Sequence, residues 1–200
     1  VSPTECRASR PVEILRGAQS LDRFRSRVLV QMRSFDVRVQ FTDEYRPTDE
    51  GVLIAHGDQG GGYLLYIEDG DLHFCHNYGG RTRDFNMDAL GQNLEQIDLA
   101  FVAQPEGVCS VQIKVHGEQR DVPGQFNLFT GATPFQGIDV GIDRRSPVSR
   151  LLRSRRGTFA YTGALRSVTI TSGQRLSEIL PSSQSNVDIE QKKLAERLDD

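Results

Sequence analysis

The clearest pattern in the chain is an alternation. Phe35, Val37, Val39 and Phe41 alternate with Asp36, Arg38 and Gln40. A period of two places the aromatic and branched side chains on one face and the polar ones on the other, as in a half-buried antiparallel strand. Ile97, Leu99 and Phe101 repeat the pattern, as do Val111, Ile113 and Val115, and residues 162–171 read as a last strand with Leu165, Val168 and Ile170 apolar. Between them, the apolar runs at residues 51–57, 63–67 and 72–77 are bounded by turn residues and read as a three-stranded meander. Asp69-Gly70 joins the last two of these, because the favoured two-residue hairpin needs positive φ at both central positions. Residues 120–122 and 134–140 add shorter candidates.

Nine to eleven short strands with Gly-rich turns predict a mainly β protein, an antiparallel β-sandwich of jelly-roll or concanavalin-like form. No βαβ alternation occurs. Residues 1–33 read as an irregular lead-in with short strands at Val12–Leu15 and at Val28-Leu29-Val30. Residues 34–172 form the sandwich, and residues 173–200 a polar linker with a tail helix over 187–198. That helix has a thin apolar stripe of Val187, Leu194 and Leu198. The expected core is Phe35, Val37, Val39, Phe41, Leu53, Leu65, Ile67, Leu72, Phe74, Leu99, Phe101, Val111, Ile113, Val168 and Ile170.

Composition narrows the function. A net charge of -3 gives no electrostatic reason to expect nucleic acid. No apolar run approaches the roughly 20 residues of a membrane span, so a soluble protein is expected, of unknown compartment. Val1 stands where an initiator Met would, which suggests a piece of a larger protein. Cys6, Cys75 and Cys109 form no zinc framework. Cys75 and Cys109 lie in apolar runs and read as core residues, with a disulfide between them as the alternative.

Candidate chemistry is sparse. His73 and His76 lie three apart, on opposite faces of a strand. His56, His76 and His116 read as surface or hydrogen-bonding residues rather than metal ligands. Gly60-Gly61-Gly62 reads as a turn, since no helix follows to form a phosphate loop. The best candidate pair is Asp139 and Asp143, which flank Gly141 with Ser146 close behind. Such an oxygen-rich loop can hold Ca²⁺ or can pin its own turn by accepting backbone N–H groups. The arginines 144, 145, 150, 153, 155 and 156 read as a solvated loop or as a contact for an acidic partner surface or a sulfated or phosphorylated ligand.

Gly51-Val52-Leu53-Ile54-Ala55-His56-Gly57, the Gly61-Gly62-Tyr63 turn, and His76-Asn77-Tyr78 resemble a segment that follows the catalytic domain of large bacterial arylsulfatases. So do Asp139-Val140-Gly141-Ile142-Asp143 with Ser146-Pro147-Val148, and the closing stretch from Phe159 through Gly163, Leu165 and Val168 to Ile170. The matches run in order over residues 34–171. The resemblance implies a non-catalytic C-terminal accessory domain whose partner is the parent's sulfatase domain. It implies that the formylglycine nucleophile and the divalent cation, calcium, belong to that other domain and that this chain carries no cofactor and no catalytic residue. Cys6-Arg7-Ala8-Ser9-Arg10 is similar to the family's C-x-P-S-R, but residues 11–17 do not continue the motif. The reading from strand pattern alone is a carbohydrate- or ligand-binding sandwich module.

Overall fold

The computed structural model describes residues 10–42, 45–131, 134–180 and 186–198. Cys6 and residues 181–185 of the polar linker lie outside them. Among the described residues there are eleven strands: β1 (Val12–Leu15), β2 (Arg33–Phe41), β3 (Gly51–Asp58), β4 (Gly61–Glu68), β5 (Asp71–Tyr78), β6 (Arg81–Ala89), β7 (Gln96–Ala103), β8 (Val108–Val115), β9 (Glu118–Asn127), β10 (Ile138–Val140) and β11 (Leu165–Arg175). Four helices accompany them: α1 (Arg23–Val30), α2 (Arg150–Arg156), α3 (Leu176–Ile179) and α4 (Asn186–Leu198). The strands form a six-stranded sheet in the order β1-β11-β2-β7-β8-β9 and a five-stranded sheet in the order β10-β3-β4-β5-β6. All pairings between these strands are antiparallel, and the whole is a β-sandwich of jelly-roll type.

Every residue of the expected core is buried. Phe35, Tyr63, Phe74 and Phe101 meet between the sheets, with the Phe35 and Phe101 rings stacked at 4.2 Å. The two sheets differ in what they do with their outer faces. In the six-stranded sheet the strands alternate buried and open, so its outer face is wet. In the five-stranded sheet, β3 is buried throughout and β4 nearly so. A second apolar cluster of Val52, Ala55, Leu64, Tyr66, Cys75, Val148 and Leu152 covers its outer side.

The turns follow their chemistry. Asp69 and Gly70 have φ of 53° and 85°, the two positive values the hairpin requires. Between β3 and β4, Gly57 stands opposite Gly62, and a Cβ on Gly62 would lie 1.9 Å from the His56 carbonyl oxygen. Gly61 and Gly62 are thus inside β4 rather than in the turn.

Several elements differ from the sequence reading. Val28-Leu29-Val30 is the end of α1, not a strand; Asp22 caps that helix by accepting from Phe24 N and Arg25 N. The Arg-rich stretch is helical over α2, capped by Ser149 and ended at Gly157 with φ 67°. The β6 strand was not anticipated, and β9 and β11 run longer than expected. In the 134–140 segment only β10 is strand. Residues 12–15 are drawn into the six-stranded sheet beside β11. The α4 helix is present, but Val187 and Leu194 are exposed. Its contact is made by Ile189, packed on the core, and by Glu190, which accepts from Gln31 Nε2 at 3.1 Å. No described helix is long and apolar enough to cross a membrane.

Candidate functional site

The polar faces of the alternating strands align into rungs across the outer side of the six-stranded sheet. One rung runs Thr169, Arg38, Asp98, Lys114, Gln119; the next runs Thr171, Asp36, Ala100, Gln112, Asp121. Ala100 stands between Asp36 and Gln112, and its methyl group leaves the centre low. The result is a depression of about 360 Å³, bounded by Asp36, Arg38, Gln40, Asp98, Gln112, Lys114, Gln119, Thr169 and Thr171 around Ala100. Two acids, two bases, three amides and two hydroxyls line it, so donors and acceptors are both plentiful and charge is balanced. Arg38 Nε donates to Asp98 Oδ1 at 2.7 Å and Gln96 Nε2 to Asp98 Oδ2 at 2.7 Å, which occupies both carboxylate oxygens. Partial burial, and then repulsion from Asp98, raise the Asp36 carboxyl above its usual range, while Arg38 opposes the shift.

A second cleft opens where the two sheets meet along β6 and β9. It holds about 290 Å³ between His76, Tyr78, Gly79, Arg81, Arg83, Gln125, Phe126 and Asn127. Cross-strand register forms one rung of His56, Tyr63, His76 and Arg83 on the inner face of the five-stranded sheet, and the cleft lies at its outer end.

The residues singled out by sequence are dispersed. His56 is buried in the core against Tyr63 and Phe129, and among the described residues neither ring nitrogen has a hydrogen-bond partner. Burial holds its imidazole down to about 3. His76 is also buried, held down to about 4 by burial and then by Arg83, while a bond to the Asn127 backbone opposes this. His73 stacks on Tyr66 at 4.7 Å on the other side of the sheet, and His116 Nε2 meets the Leu90 carbonyl at 2.8 Å. Cys75 and Cys109 lie in separate apolar clusters, so the alternative of a bond between them is not realised. Burial pushes the Cys75 thiol up to about 12. The arginines of α2 do not stand in a solvated loop: Arg155 bridges Glu68 at 2.6 Å, and Arg156 engages Glu50 and Glu68.

Asp139 and Asp143 are both buried. Asp139 accepts from the Ser20 hydroxyl and from Arg144 N at 3.3 Å, and pairs with the Arg144 guanidinium at 3.6 Å. Asp143 accepts from Val148 N at 2.9 Å. Burial raises its carboxyl to about 6, the Val148 bond opposing and Asp139 adding to the shift. Among the described residues no group of three or more His, Cys, Asp or Glu side chains gathers as a metal site. Asp139→Ala is expected to cost roughly 1–3 kcal/mol, the range for stranding buried donors, measured by urea denaturation. A melting temperature that rises with Ca²⁺ in the native protein, but not in Asp139→Ala, would assign the loop to calcium instead.

Sequence reasoning missed Asn77 as the pivot of this region. Its side-chain nitrogen lies 3.1 Å from Asp58 O, 3.1 Å from Gln59 O and 2.8 Å from Val148 O, and its Oδ1 accepts from Gly80 N at 3.0 Å. The His76-Asn77-Tyr78 motif was the available signal.

No family model matches the chain, and no curated protein does. Among solved structures, the chain is similar to the CBM40 of Ruminococcus gnavus IT-sialidase bound to α2,3-sialyllactose, with TM-score 0.47 and 15% identity, covering 93% of this chain and 97% of that one. It is similar to mouse laminin α1 chain domains LG4-5, with TM-score 0.43 and 14% identity, covering 88% of this chain and 42% of that one. Sheep galectin-11 in complex with glycerol gives TM-score 0.40 and 13% identity, over 80% and 96% of the two chains.

Proposed function

We propose that the protein is a non-catalytic, carbohydrate-binding β-sandwich module that holds a neutral polyhydroxylated ligand on the outer face of its six-stranded sheet. The observation that carries this is the charge-balanced depression floored by Ala100. Sugar hydroxyls donate and accept at once, and the surrounding amides, hydroxyls and charged groups offer both functions on a pre-formed sheet. Among the described residues no aromatic side chain lines the depression, so affinity comes from hydrogen bonds rather than stacking. Binding rather than hydrolysis fits Asp98, whose two oxygens are already engaged by Arg38 and Gln96 and which is therefore poorly placed to act as an acid or a nucleophile.

The test is a screen of neutral oligosaccharides, followed by calorimetric titration of the best. Ala100→Trp fills the depression from an outward-facing position and is expected to weaken binding at least tenfold while leaving the melting temperature near the native value. Absence of any neutral ligand, or equal binding by Ala100→Trp, would overturn the assignment.

The accessory-domain reading concerns the protein around this module and is compatible with it, since a sulfatase acting on sulfated glycans would gain from a domain that holds the chain. What supports it is that most of the matching motifs converge in space: those of residues 51–78 lie in β3, β4 and β5, and Val148 comes to Asn77. The complete reading frame tests it. An upstream catalytic domain with C/S-x-P-S-R is expected, and an upstream region without one removes this reading alone.

A further inference from the structure

The cleft at the β6–β9 seam differs from the sheet-face depression in one respect: among the described residues its lining has two arginines and no carboxylate. Arg81 and Arg83 lie two apart on β6, so both side chains leave on the same side. Arg83 is held in place. Its guanidinium lies 5.1 Å from the centroid of Phe85 and 5.0 Å from that of Phe126. It donates to Pro123 O at 3.0 Å and to Gln125 O at 3.2 Å. A guanidinium has five N–H groups, so these two bonds orient the fork without exhausting it. Gly124 lies between the two carbonyls, and a Cβ there would approach Arg83 Nη2 to 2.7 Å, so this close approach depends on glycine.

A fixed guanidinium fork beside a second arginine, in a partly enclosed space, matches the flat oxyanion of a carboxylate or the tetrahedral one of a sulfate. Its volume is at the small end of ligand cavities, ~300 Å³, and suits a single charged unit. We propose that this cleft is a second binding site, for a carboxylate or sulfate group carried on a small ligand of about one sugar unit. It stands on different residues from the sheet-face site and does not depend on it.

The experiment titrates the purified chain with glucuronic acid and with N-acetylglucosamine 6-sulfate, each beside its neutral parent, glucose or N-acetylglucosamine. At least one charged probe is expected to bind tenfold or more tightly than its parent, and which one does so separates carboxylate from sulfate. Arg81→Gln, an exposed change, is expected to remove that preference at an unchanged melting temperature, and Arg83→Lys, which keeps charge but loses the fork, to weaken it. Ala100→Trp is expected to leave it intact, so failure of the neutral-ligand site and failure of this one are told apart. Equal binding of both charged probes and their parents, or an undiminished preference in Arg81→Gln, would overturn the proposal.

Discussion

Asn77→Asp is expected to destabilise the protein by about 4 kcal/mol, which is more than a single hydrogen bond is worth. The native amide nitrogen faces the carbonyls of Asp58, Gln59 and Val148 in a buried position. Aspartate keeps the oxygen that accepts from Gly80 N but sets a second oxygen against three others. The loss therefore combines unpaired acceptors with a buried charge whose second oxygen lacks a donor. Asn77→Leu, which removes the charge, is expected to cost less. Lowering the pH should partly rescue Asn77→Asp, because a protonated carboxyl regains one donor. Urea denaturation at pH 7 and pH 5 measures all three. A cost below 1 kcal/mol for Asn77→Asp would mean that the three carbonyls are satisfied otherwise.

The second large effect is acid instability centred on the buried histidines. The imidazoles of His56 and His76 are held down to about 3 and about 4, against the ordinary value of 6.5. As pH falls through 6.5 the unfolded chain takes up these protons and the folded one does not. The stability they contribute is therefore complete above 6.5 and drains away below it. By pH 4.5 each histidine accounts for roughly 2–3 kcal/mol, at about 1.4 kcal/mol per unit. Asp143 works in the opposite sense. Its carboxyl is raised to about 6, so the folded form is the better proton acceptor between 6 and 3.8, which returns about 2 kcal/mol by pH 4.5. The net loss from these three groups between pH 7 and 4.5 is about 3 kcal/mol. His56→Phe is expected to halve the loss or better. It should also raise stability at pH 7 by about 1–2 kcal/mol, since both ring nitrogens of His56 are buried without partners. Parallel pH profiles for the native protein and His56→Phe would show that His56 does not carry the effect.

What was legible in the chain follows from which side of each strand is wet. β2, β7 and β8 bury one face, and the two-residue alternation announces it. β3 and β4 are buried on both faces because a second cluster covers the outer one, so they read as short continuous runs. β6 was not legible. It is an edge strand whose inward positions include Arg81 and Arg83, which leaves little apolar periodicity, although Gly79-Gly80 marks its hairpin by two positive φ values. α1 was misread because three apolar residues in a row fit a strand as well as a helix end. The sheet-face depression was half visible: Asp36, Arg38 and Gln40 are plain as a polar face, but that Ala100 stands beside Asp36 is a matter of register between strands distant in sequence. The seam cleft was invisible for the same reason, because Arg83 and Phe126 are brought together only by the closure of two sheets.

The strand order also sets a timetable for assembly. The five-stranded sheet is largely a meander of hairpins between neighbours in sequence, β3 to β6, and each can close soon after it is made. The six-stranded sheet cannot. β11 lies between β1 and β2, pairing Ile170 with both Val12 and Val37. Until residues 165–175 leave the ribosome, β2 has an open edge and β1 has no sheet to join. Closing loops of well over a hundred residues slows a chain rich in distant pairings, and an exposed edge invites pairing with other chains. The alternating charges of Asp36 and Arg38 on that waiting strand, later the wall of the sheet-face depression, also guard it against such pairing during synthesis.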